Sequence, residues 1–294
     1  MEKSFMTDLN RLMARQNFKD EKELQAFFDN LTNQSLYDLP LMELTFEEQA
    51  QDLVFEAFKL TPDKAKKNIE KALALDPTCI EAYEYLASRE KKLEKALAVL
   101  EKGIAIGREK FGGQFLKKNK GIFWGIHETR PFMRCLYAKS EILVLMGKIA
   151  EGVAIMEEML EINKNDNQGV RYPLLSALIV LGETEKFKKY DKMFDDDASA
   201  QTLYSRALFT FKTEGNSANA RKMLNKAFQA NPFVVQMLLE ENPQFQEIEN
   251  YSLGSREEAQ VYLVYACVAW CKTEDAIEWL MDVVEKILDR QNCN

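Results

Sequence analysis

The sequence predicts an all-α chain whose antiparallel helix pairs stack side by side as an α-solenoid. Three observations predict it. Gly147, Gly182 and Gly215 stand 35 and 33 residues apart (182 − 147 and 215 − 182), and a period near 34 marks a helix–turn–helix repeat. On either side of Gly215, apolar residues recur three or four apart: Tyr204, Ala207, Leu208 and Phe211, then Ala220, Leu224 and Ala227. That spacing places each set on one helix face. Asn231-Pro232 then closes the unit, because proline cannot continue a helix. Small residues let the two helices approach, and glycine takes a left-handed turn without a Cβ penalty. A single pair cannot bury its own apolar face, so neighbours must stack on it.

Residues 1–44 read as N-terminal capping helices. Met6, Leu9, Leu12 and Met13 share one face, and Asp20 followed by Glu23 resembles a capping box ahead of Leu24, Phe27, Phe28 and Leu31. Asn33 to Pro40 is a turn-rich connector. Capping the stack is the reading preferred to an amphipathic membrane contact.

The helix pairs occupy residues 45–232. A first helix over 46–59 is followed by Thr61-Pro62, a cap with proline at the first helical position. Ala65, Ile69 and Ala72 carry the second helix, which stops at Asp76-Pro77. Tyr83, Leu86 and Ala87, then Ala96, Leu100 and Gly103, mark the next pair. The spacing from Ala65 to Ala96 is 31 residues (96 − 65), about three short of a full period. From Ala96 to Gly152 it is 56 (152 − 96), so about 22 residues are inserted, at about 104–131. Long loops are commonly functional or disordered, and the aromatics of this one argue for order. In the fourth pair, Asp166 or Asn167 can cap the first helix, and Gly169 relaxes the chain before it. Phe187 and Phe194 stand where small residues are usual, so these helices should splay. Residues 233–294 read as a linker and a C-terminal capping helix pair, begun by the capping-box pattern Ser255 to Glu258.

Several stretches carry a more specific likeness. Tyr204 to Pro232 resembles a tetratricopeptide repeat, which implies a right-handed superhelix. Phe123 to Arg134 (FWGIHETRPFMR) and Asn165 to Leu175 (NDNQGVRYPLL), with Asn231-Pro232 and Tyr251 to Ala259 (YSLGSREEA), are similar to bacterial tetratricopeptide proteins related to the suppression-of-tumorigenicity 7 family. The resemblance covers roughly residues 45 to 282 and implies an all-helical, non-enzymatic protein. It carries over to Phe123, Trp124, Gly125, Glu128, Thr129, Arg130, Pro131 and Arg134, and to Asn165, Asp166, Asn167, Gly169 and Arg171. His127 and Phe132 stand outside it, and it supplies no ligand.

Arg130, Arg134, Tyr137 and Glu141 fall on one predicted helix, with Arg171 and Tyr172 on the first helix of the next pair. First helices of this repeat type line a concave groove, and arginine and tyrosine are enriched at binding hot spots. With Trp124 of the insert, these seven are the candidate partner-binding residues. The opposing reading pairs Arg130 and Arg171 internally with acids such as Glu128 and Asp166. A lysine–asparagine–lysine clamp for a carboxyl terminus is not evident on these helices.

Three other groups invite chemistry. His127 beside Glu128 offers an acid–base pair for an enzyme, but adjacent helical residues do not face one another and no nucleophile is placed. Cys267 and Cys271, four apart on one face, are expected to be core thiols, since one histidine and no CxxC leave little for zinc. Lys117, Lys118 and Lys120 are expected to form a solvated face, and Phe123 and Trp124 to anchor the insert. Phosphate-loop and dinucleotide fingerprints are missing.

A net charge of −8 opposes nucleic-acid binding. Five cysteines without framework spacing read as thiols of a reducing cytosol. The charge-studded first residues are expected to form no signal peptide. The longest apolar run, Val261 to Cys271, is too short for a bilayer and reads as a buried helix. The expectation is a cytoplasmic, non-enzymatic scaffold that holds a partner protein or peptide in its groove, with no cofactor, metal, nucleic acid or membrane. The alternatives are an enzyme using His127 and Glu128, and a bacterial effector or regulatory module.

Overall fold

A computed structural model describes residues 9, 11–13, 15–16, 18–32 and 43–292, in two compact units, Met1–Thr45 and Phe46–Asn294. The predicted Met6, the connector Asn33 to Pro40 and Cys293 lie outside the described residues. In the first unit, α1 spans Glu21–Thr32. Asp20 Oδ1 accepts from the Glu23 N–H at 2.9 Å, and Glu23 Oε2 accepts from the Lys19 N–H at 2.9 Å. This is a capping box whose return bond falls one residue before the cap.

The second unit is all-helical among its described residues, with only isolated bridges from Gly121 and Ile122 to Asn163. Its helices pack as neighbouring pairs. These are α2 (Phe46–Ala57) with α3 (Pro62–Leu75), and α4 (Ile80–Arg89) with α5 (Leu93–Lys110). After the short α6 (Gly113–Asn119) come α7 (Arg130–Leu145) with α8 (Ile149–Ile162), α9 (Arg171–Leu181) with α10 (Thr184–Met193), and α11 (Ala200–Glu214) with α12 (Ala218–Ala230). The short α13 (Phe233–Leu239) then leads to α14 (Arg256–Lys272) and α15 (Ala276–Asn292).

Alanine faces set the close approach within pairs. Ala50, Val54 and Ala57 of α2 meet Ala65, Ile69 and Ala72 of α3, all buried. Ala207 and Leu208 of α11 meet Ala220, Leu224 and Ala227 of α12 in the same way. The turn glycines Gly147, Gly182 and Gly215 adopt φ of 78°, 73° and 65°, which L-residues reach only with strain. The fourth pair is looser than its neighbours. Phe187 of α10 turns instead toward α11, where its ring stacks on Phe209 at 3.9 Å.

The insert is folded rather than a long loop. α5 continues through Gly107 to Lys110, α6 follows, and two 3₁₀ turns, Phe123–Gly125 and His127–Thr129, lead into α7. Phe123 is 1% exposed and sits with Phe115 at 5.8 Å and Phe132 at 6.4 Å. Thr129, fully buried, donates its hydroxyl to the carbonyls of Phe123 and Ile126. Asn163, at the end of α8, accepts the Trp124 N–H at 3.1 Å. These contacts pin the insert to the third pair.

The C-terminal helices do not form a hairpin like the others. α14 lies on α9, α11 and α13, α15 lies chiefly on α12, and the two touch only briefly. The N-terminus of α14 is anchored by its capping box. Ser255 Oγ accepts from the Glu258 N–H at 3.1 Å. The buried Glu258 carboxylate accepts from the N–H of Gly254 at 2.7 Å, the N–H of Ala200 at 2.9 Å and Asn231 Nδ2 at 2.9 Å. The motif residues Asn231 and Glu258 thus join the starts of α11 and α14 to the end of α12.

Candidate binding cavity

α7 and α9, the first helices of adjacent pairs, have little direct contact, whereas α9 packs closely on α14. A cavity of about 560 Å³ opens between α4, α7, α9 and α14. Its walls explain its size. Ala87 and Ser88 of α4, Ala138 of α7, and Ser176 and Ala177 of α9 are too short to meet across it. Val264 and Val268 of α14 form part of the rim and are 60% and 50% exposed.

Few polar groups enter this apolar space. Arg134 Nε donates to Glu84 Oε1 at 2.6 Å. Glu141 receives the Tyr265 hydroxyl at 3.4 Å, and Tyr265 shares a 3.0 Å hydrogen bond with the Tyr137 hydroxyl. Burial pushes the Glu141 carboxyl up to about 6, against the opposing hydrogen bonds from Tyr265 and Tyr137. Burial raises the Tyr137 hydroxyl far above its ordinary range, with the Glu141 charge adding to it. Among the described residues, no lysine or arginine forms an ion pair with Glu141.

The seven candidate residues separate into three groups. Arg134 and Glu141 line the cavity, with Tyr137 bonded behind them to Tyr265. Trp124 and Arg130 belong to the insert, where the Arg130 guanidinium stands 5.5 Å from the Trp124 ring centroid and its Nε donates to the Trp124 carbonyl at 3.0 Å. Arg171 and Tyr172 tie the start of α9 to the loop before α11. Arg171 pairs with Asp166 and Asp197, each at 2.8 Å, and lies 4.2 Å from the Tyr172 ring centroid. Burial would raise the Asp197 carboxyl, but hydrogen bonds from Ser199 and the Arg171 contact outweigh it and hold Asp197 at about 2. Asp166 accepts from the N–H groups of Val170 and Arg171, so it caps α9.

Sequence reasoning missed Glu84, Tyr265 and the valine rim. A signal was available. Val264, Cys267, Val268 and Cys271 repeat at helical spacing opposite Tyr262, Leu263, Ala266, Ala269 and Trp270, so α14 is apolar on both faces from Val261 to Cys271. Cys267 and Cys271 are exposed, which overturns their expected place in the core. The opposite face of α14 is the buried one, with Tyr262 and Trp270 at its centre. Cys79 and Cys135 are buried free thiols.

The remaining groups lie away from the cavity. His127 and Glu128 are exposed on the second 3₁₀ turn. Partial desolvation of the ring by its neighbours, aided by the Arg130 charge, lowers the His127 pKa. Lys117, Lys118 and Lys120 are exposed, and Lys120 pairs with Glu161. Among the described residues, no cluster of three or more histidine, cysteine or acidic side chains could hold a metal, and no helix is long and apolar enough to cross a membrane.

Comparison with protein-family models gave no match, and comparison with curated proteins gave none either.

Proposed function

We propose that the chain is a helical-repeat scaffold of tetratricopeptide type that binds a segment of a partner protein and performs no catalysis. The stacking of hairpins into a solenoid is supported by successive first helices in contact, α2 with α4, α4 with α7, and α9 with α11, and by α5 against α7 and α8 against α9. The observation that carries the binding reading is the apolar cavity beside Val264 and Val268, which stay wet on a helix whose other face is core. Concave apolar sites with a few polar groups are where ligands bind, and a contiguous exposed apolar patch marks an interaction surface. An enzyme built on His127 and Glu128 gains no such support, since both are exposed and neither lines the cavity.

Arg134 and Arg171 are poor probes of this reading, because removing either leaves a carboxylate without its partner. A photo-crosslinking side chain at Val268 is the better one, with Glu285 on the exposed face of α15 as control. The expected result is one discrete protein adduct from position 268 and none from 285, lost when Ala138→Trp obstructs the cavity. Adducts that form equally at both positions, or that survive the obstructed cavity, would refute the reading.

A further inference from the structure

We infer that the occupant of this cavity is a basic segment: an apolar side chain enters between α7, α9 and α14, and an adjoining lysine or arginine is received by Glu141. The inference rests on the binding reading above and names the partner's chemistry.

The charges on the walls decide it. Glu84 and Arg134 neutralise one another at 2.6 Å, and the cavity's other charged lining residue is Glu141. The site therefore has one carboxylate in excess. Tyr265 of α14 and Tyr137 of α7 are the polar groups beside that carboxylate, and the Tyr265 bond is long at 3.4 Å. A half-buried carboxylate with weak donors is poorly compensated. An ammonium or guanidinium would supply the strong charge-assisted bond it lacks. An anionic ligand would instead add a second negative charge beside Glu141, and the arginine that lines the cavity, Arg134, is already neutralised by Glu84 at 2.6 Å. The apolar half of the ligand is set by Ala87, Ala138, Ala177, Val264 and Val268. The net charge of −8 would also draw a basic segment toward the chain.

The test uses the full chain and two fluorescent undecapeptides that share a central leucine pair. One has lysines flanking the leucines and the other glutamates, and binding is read by fluorescence anisotropy. The lysine peptide should bind about tenfold or more tightly than the glutamate peptide, as one charge-assisted bond implies. At about 0.15 M salt, which screens the chain's overall charge, Glu141→Gln should erase that difference, and Glu141→Lys should reverse it. Ala138→Trp should obstruct the cavity and weaken binding at least tenfold, with Ser176→Leu as a second obstruction and far-UV circular dichroism to verify folding. Equal binding of both peptides, weakened on obstructing the cavity, would overturn the charge assignment and leave the cavity as a binding site. Binding of neither peptide, or binding indifferent to both obstructions, would overturn the cavity reading itself.

Discussion

Replacing Glu258 removes an acceptor on which three chain segments converge. Its carboxylate is 1% exposed and accepts from Ala200, Asn231 and Gly254. Of these donors, Ala200 and Asn231 belong to buried residues, whereas Gly254 is partly open to water. Glu258→Ala leaves the Ala200 N–H and one of the two Asn231 Nδ2 hydrogens without an acceptor, at about 1–3 kcal/mol each, while the other Asn231 hydrogen stays on the Ser255 carbonyl at 2.8 Å and the Gly254 N–H can turn to solvent. Part of that loss is offset because the carboxylate no longer has to be desolvated. The net expectation is a loss of about 3 kcal/mol, a large share of the ~5–15 kcal/mol that holds a typical domain together. Glu258→Gln keeps one acceptor oxygen and should lose less, about 1–2 kcal/mol. Urea unfolding followed by far-UV circular dichroism gives the totals, and hydrogen exchange at the Ala200 amide reports the local release. A Glu258→Ala protein within about 0.5 kcal/mol of the parent, or a glutamine variant less stable than the alanine one, would show that this junction does not hold α14 in place.

Gly107→Ala should destabilise the chain by about 1–3 kcal/mol in the same assay. The added Cβ would lie 2.2 Å from a ring carbon of Phe132, and that clash must exceed the ~1 kcal/mol alanine gains in a helix interior. Glu141 has a folded pKa of about 6 against 4.5, so the folded state holds its proton more tightly. Its contribution is complete below pH 4.5 and is lost as the pH rises through about 6. Relative to Glu141→Gln, the parent should therefore lose stability across that window, by no more than about 2 kcal/mol, and urea midpoints from pH 4 to 8 measure it. Iodoacetamide should label Cys267 and Cys271 in the native protein and reach Cys79 and Cys135 only on unfolding, as read by peptide mass spectrometry.

The local punctuation of the fold was legible in the sequence. Thr61-Pro62, the turn glycines and the boxes at Asp20–Glu23 and Ser255–Glu258 act within a few residues of themselves, so neighbours in sequence suffice to read them. What sequence left open was long-range pairing. Nothing near Arg134 indicates that it meets Glu84, fifty residues earlier. Nothing near Tyr265 points to Glu141 or Tyr137. The arginines chosen for their binding chemistry are, for the same reason, the residues best able to fasten loops, and Arg171 between Asp166 and Asp197 does so. The insert looked like a loop because its spacing breaks the 34-residue rhythm. Its phenylalanines nonetheless bury against Phe132 and make it part of the core.

The backward reach of α14 bears on how the chain is made and how it comes apart. An array whose modules touch only the next in line can fray from either end, one unit at a time. Here the face that α9 presents waits for a helix synthesised well after it, so a nascent or shortened chain exposes grease that the finished one conceals. Trimming from the carboxyl side would therefore uncover the middle of the molecule rather than merely subtract its last module.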